Sequence, residues 1–135
     1  TAKQAGVSNF GLFNDAGYKG LYESSLSDIE FKKGIKKGEL LDRAGSTELA
    51  ANLFRITQTD EKITKDKIKG NFEARKTHFM VGGKVRQTIK DIGGELPENL
   101  KLEKHIKDIK KDIKLLKQGS KFLLKGKKKY NENIK

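Results

Sequence analysis

The side chains that most often carry out chemistry are scarce in this chain and badly placed for it. It has two histidines and no cysteine, which excludes thiolate zinc sites, iron–sulfur clusters, disulfides and cysteine nucleophiles and suits a reducing compartment. His78 falls on the apolar stripe of a helical pattern, a position for a packed, hydrogen-bonded imidazole rather than a general base, while His105 lies among lysines and is read as solvated. Two distant histidines do not make a transition-metal set. The carboxylate pairs Asp60-Glu61 and Asp108 with Asp112 sit among lysines at helix-surface spacing, so ion pairing accounts for them better than acid–base work. Gly82-Gly83-Lys84 lies inside a helical pattern without the preceding strand and following hydroxyl of a phosphate loop. The residues therefore point to a noncatalytic protein with no metal and no cofactor.

What remains is electrostatics. The 30 Lys and Arg against 18 Asp and Glu leave a net charge of +12, and the excess is unevenly spread. Residues 1–60 carry 8 basic and 8 acidic side chains, residues 61–100 carry 9 and 6, and residues 101–135 carry 13 and 4. A neutral body with a basic arm is the footprint of nonspecific attraction to a polyanion, above all nucleic acid. The arm offers Lys110, Lys114, Lys117, Lys121, Lys125, Lys127, Lys128 and Lys129, point charges without the planar fork that reads a base edge. On the body, Arg86 and Lys90 share a helix face at i, i+4, with Arg75, Lys76 and Lys84 as further phosphate candidates; a solvated face paired with Asp91 is the competing reading. Leu40 to Phe54, with Gly45 at the turn, has the outline of a helix-turn-helix. Its apolar pattern is incomplete and its second helix offers only Arg55, so a packed hairpin explains it better.

These groups must be held by helices. Ser8 can cap a helix through Ala16 that Gly17 stops, with GYKGLY as a turn. Ser27-Asp28-Ile29-Glu30 has the form of a capping box for a helix over 28–33, ended by Gly34. A short helical piece is expected over 38–44, followed from Ser46 by a long helix, or two nearly continuous ones, whose stripe is Leu49, Leu53, Ile56 and Ile63. After Gly70 a further helix follows Ala74, His78, Val81, Val85 and Ile89, and Gly82-Gly83 within it imply close packing or a bend, since each costs about 1 kcal/mol there. Gly93-Gly94 and Pro97 end it. Beyond Leu100, Leu102, Ile106, Ile109, Ile113 and Leu116 step by 4, 3, 4 and 3 residues, a narrow stripe on a charged helix that calls for a partner surface. The chain divides accordingly into a compact multi-helix body over 1–100, an extended basic amphipathic helix over 101–118 and a frayed basic tail over 119–135. Its fold class is mainly α. No apolar run reaches the roughly 18 residues of a membrane span, and the N-terminal residues lack a signal-peptide stretch, so a soluble cytoplasmic protein with no membrane partner is expected.

The motifs GYKGLY, GIKKGELLDRAGST, GSTELAANLFRITQT, THFMVGGKVRQTI and GGELPENL, in that order, resemble the C-terminal part of the bacterial DNA-damage-inducible protein D (DinD) family over about Phe10 to Leu100. Members of that family also carry an N-terminal Bro-type domain, the module of phage antirepressors. It is absent here, and a first residue that is not methionine suits a fragment. The resemblance implies a noncatalytic protein of the SOS response that regulates the RecA recombinase on single-stranded DNA. Partner contacts are expected at Arg55 and Gln58 and along the Leu102–Leu116 stripe. The alternative is an antirepressor-like module that binds a repressor or forms a homo-oligomer through that stripe.

Overall fold

A computed structural model of the chain describes residues 2–103 together with 114, 117 and 118. It contains α1 (Phe10–Tyr22), α2 (Leu26–Lys33), α3 (Leu40–Arg43), α4 (Ser46–Lys65) and α5 (Asn71–Asp91), followed by a 3₁₀ turn at Pro97–Asn99. The fold is mainly helical, as the sequence implies. Among the described residues the one strand-like pairing is an isolated antiparallel bridge between Ala44 and Leu102. Residues 1–102 form one unit and residues 103–135 another. The expectations for the stripe at Ile106, Ile109, Ile113 and Leu116 and for the frayed tail lie outside the described residues.

The first helix corrects the sequence reading. Asn9, not Ser8, caps it, accepting the Leu12 amide on its side chain, and it runs through Gly17 and Gly20 to a left-handed Glu23. Ser8 is engaged elsewhere: its amide and hydroxyl meet the Asn71 side chain, which ties the N-terminal segment to the start of α5. Gly17 and Gly20 do not stop α1, because what is used there is the absence of a side chain. A Cβ on Gly20 would run into the backbone of Phe79, Gly82 and Gly83, and one on Gly82 would meet Gly17 O at 2.7 Å and Leu21 N at 2.9 Å. The two helix backbones touch at this crossing, which is the close packing that Gly82-Gly83 implied. Contacts rise together along both helices, from Phe13 with His78 to Leu21 with Arg86, so α1 and α5 lie parallel. The short 66–70 connection makes α4 and α5 an antiparallel hairpin.

Helix α2 starts earlier than the capping-box reading placed it. Ser25 is the cap and accepts the Asp28 amide. Glu30, freed from any capping role, is buried and accepts the Gly38 amide at 2.6 Å, fixing the α2–α3 loop. Gly34 ends α2 in the left-handed conformation, as expected.

Two apolar clusters flank the α1–α5 crossing. Tyr18, Leu21, Tyr22, Ile29, Leu40, Val81 and Val85 form one; Ala5, Val7, Phe13, Ile63 and Ala74 form the other. Helix α4 contributes little to either. Of its expected stripe only Ile63 is buried, while Leu53 and Ile56 are exposed. The face it turns inward is Glu48, Asn52, Arg55, Thr59 and Ile63, four of them polar. Apolar spacing misleads here because these polar groups find partners inside, which removes most of the penalty for burying them.

Candidate interaction site

The inward polar residues of α4 form one connected network. Glu48 accepts from the Tyr22 hydroxyl in a short hydrogen bond and pairs with Lys33 Nζ at 3.0 Å. The Lys33 ammonium spends its other two donors on the carbonyls of Pro97 and Leu100, at 3.0 and 2.8 Å. Asn52 donates to Tyr22 Oη and to its own helix at Glu48 O, and its side-chain oxygen accepts from Arg55. Burial pushes the Tyr22 phenol upward, and the bond to Glu48 pushes it the same way.

Arg55 occupies the centre. It is 1% exposed, stacks over Tyr18 with 4.6 Å from guanidinium carbon to ring centroid, and lies 2.5 Å from His78 Nε2. The other imidazole nitrogen lies 2.8 Å from the Phe13 carbonyl. One assignment satisfies both contacts: neutral His78 donates from Nδ1 to that carbonyl and accepts at Nε2 from Arg55. Burial first, then the Arg55 charge, push the His78 pKa down to about 4, against the pull of the carbonyl. Gly17 makes room, since a Cβ there would fall on His78 and Arg55. The packed, hydrogen-bonded reading of His78 is the one observed. Arg55 is not the partner-binding surface residue expected from sequence.

Arg86 is likewise withdrawn from the phosphate candidates. Its guanidinium grips Glu98 through two bonds of 2.8 Å, donates to Leu21 O at 3.1 Å, and places Nε 3.4 Å from Glu23. Burial raises the Glu98 pKa, but the Arg86 bond outweighs it and the net direction is down. This clamp fastens the 3₁₀ turn to α5. Lys76, Lys84 and Lys90 are exposed and Arg75 half-buried. Lys114 and Lys117 are exposed; Lys110, Lys121, Lys125, Lys127, Lys128 and Lys129 lie outside the described residues. Leu102 is half-buried, its backbone bridged to Ala44.

With its polar side fixed inward, α4 presents apolar groups outward, and these make the surface most suited to a partner. A groove of about 470 Å³ runs between α4 and α5, walled by Phe54 and Met80, with Gln58 on its α4 side and Lys84 on its α5 side. It is continuous through Phe54, Val85 and Thr88 with a second hollow of about 400 Å³ lined by Ala50, Ala51, Ile89, Ile92 and Leu100. One end is apolar; at the other stand Glu61, Lys62, Lys65 and Asp66, of which Lys62 and Asp66 are paired at 2.6 Å. Gln58 lines this groove; Arg55 does not. Phe54 and Met80 were missed, and the apolar stripe of α4 carries no signal for Phe54, since Leu53 and Ile56 on that stripe are exposed as well.

Among the described residues no group of three His, Asp or Glu side chains could hold a metal ion, and no helix is long and apolar enough to cross a membrane. The family model described as the DinD C-terminal domain matches residues 1–109, wider at both ends than the motifs alone. Over 120 residues the chain is 47% identical to the DNA damage-inducible protein D of Escherichia coli (strain K12), covering 84% of this chain and 44% of that protein. It therefore spans less than half the length of this relative. No solved structure matches the chain.

Proposed function

The chain belongs to the DinD C-terminal domain family, and we propose that it is a noncatalytic protein-interaction domain of the DNA-damage response that binds and modulates RecA. The observation that carries this reading is the α4–α5 groove. Phe54 and Met80 are two large apolar side chains left exposed on α4 and α5, whose buried polar side chains are engaged inside the fold, and anchors of this kind, ringed by polar side chains, suit a protein interface. The lysine arm supplies a second, less selective component by attracting DNA and holding the domain near a nucleoprotein partner.

The test is capture of RecA by the immobilised chain, with and without single-stranded DNA. Phe54→Ala with Met80→Ala, and separately Gln58→Glu, should weaken capture in both conditions while the helical circular-dichroism signal is unchanged. Full capture by the folded double variant would remove the groove from the interface, and no capture by the unaltered chain would remove RecA.

A further inference from the structure

The outer face of α5 carries a second surface, distinct from the groove. Phe72, Lys76, Phe79 and Gly83 follow one another at steps of four, three and four residues, which places them on a single line along the helix. Phe72 is 67% and Phe79 53% exposed. A Cβ on Gly83 would meet nothing within 4 Å, so the line ends in an open, flat stretch of backbone.

Two bare phenyl rings on a helix face would ordinarily need a protein to cover them, but the charge around these points elsewhere. On α5 beside the rings stand Lys76, on the line itself, and its neighbour Arg75, against one acid in the first turn, Glu73. Lys76 is exposed, and neither it nor Arg75 takes part in an ion pair among the described residues. Glu23, Asp28 and Lys19 share a hollow with Phe79, and Glu23 shares the Arg86 guanidinium with Glu98. Seven helical residues separate the two rings, a rise of about 10 Å, which is room for stacked bases with Lys76 between them. Aromatic platforms interleaved with lysine are how proteins hold single strands without reading their sequence.

We propose that the Phe72–Lys76–Phe79 ridge binds single-stranded nucleic acid by base stacking. This goes further than the proposed function, in which only the lysine arm contacts DNA, and it does not depend on RecA. Duplex DNA buries its bases and meets only the lysines, so the ridge adds discrimination that the arm cannot provide.

The chain has no tryptophan, so Phe72→Trp or Phe79→Trp gives an indole in a dark background. Oligo-dT added to the full chain should quench each indole and shift its emission; titration with no quenching at either position overturns the proposal. In parallel, anisotropy of labelled dT20 and of a labelled 20-base-pair duplex is followed for Phe72→Ala with Phe79→Ala. Stacking predicts at least a tenfold loss for the single strand and less than a twofold change for the duplex. Equal losses for both, or none for the single strand, overturn it. The same variant should capture RecA normally without DNA; a loss confined to that capture would make the ridge a protein surface and also overturn it. Both rings are half to two-thirds exposed, and unchanged circular dichroism confirms that the fold is kept.

Discussion

Adjacent glycines in α5 should respond in opposite directions to the same substitution. Alanine in place of glycine stabilises a helix interior by about 0.5–1 kcal/mol, through backbone entropy and propensity. At Gly83 that gain is unopposed, because the added methyl meets nothing within 4 Å. At Gly82 the same methyl would stand 2.7 Å from Gly17 O, 2.9 Å from Leu21 N and 3.1 Å from Gly20 C. All three are backbone atoms of a facing helix and cannot rotate away, so the helices must separate and the packing on both sides of the crossing is loosened. Overpacking of this kind costs about 1–3 kcal/mol beyond the propensity gain. For a domain of this size each kcal/mol moves the thermal midpoint by about 4–8 °C. Gly83→Ala should therefore melt a few degrees above the parent and Gly82→Ala clearly below it, a gap of roughly 10 °C or more in the same scan. Two midpoints that rise together would show that α1 and α5 are not in backbone contact, and a fall at Gly83 would show that its outer face is covered.

The remaining expectations are separate. His78 is held neutral with a pKa near 4 against about 6.5 when unfolded, so the unfolded chain takes up the proton first; stability should be full above pH 6.5 and decline by up to about 3 kcal/mol as pH falls to 4. Urea unfolding of the parent and of His78→Gln at pH 7 and 4.5 measures this, and equal pH slopes would refute it. Lys33→Met strands the buried Glu48 carboxylate and should cost about 3–5 kcal/mol; a loss under 1 kcal/mol would mean that the Tyr22 hydroxyl suffices. Arg55→Ala should destabilise by about 2–4 kcal/mol, since it leaves Asn52, His78 and Tyr18 without their common partner, whereas Gln58→Ala should stay within about 0.5 kcal/mol. Finally, if the lysine arm neutralises about 6 phosphates, affinity for DNA should fall by on the order of 10³ between 50 and 200 mM salt, and a salt-independent affinity would exclude it.

Most of what the sequence makes legible is helix existence, while much of what it hides is helix orientation. Gly34, Gly70 and the Gly93–Pro97 stop announce themselves through backbone chemistry, which is local and does not depend on the rest of the fold. The Gly17 misreading has a tertiary cause: a glycine that ends a helix and one that lets two helices touch look the same until the second helix is in place. Arg55 and Arg86 show the same limit in the site. A guanidinium is expected at the surface, and what draws both inside is long-range: His78 and Tyr18 for one, Glu98 and Leu21 for the other. Gln58 and Lys84 need no such partner, so their exposure follows from type and spacing alone.

The inverted face of α4 has a consequence for how the domain fails. By hydrophobicity alone, α4 would roll by roughly a quarter turn, tucking Leu49, Leu53 and Ile56 inward and turning Glu48, Asn52 and Arg55 out to water. Hydrogen bonds hold the native roll in place, so conditions that break them need not unfold the helix: protonation of His78, or loss of Lys33, removes what selects between two ways of seating the same cylinder. The competing state under mild acid is then a compact rival with nearly unchanged helix content and a rearranged surface. Near-ultraviolet spectra of the tyrosines should register the change before far-ultraviolet spectra do.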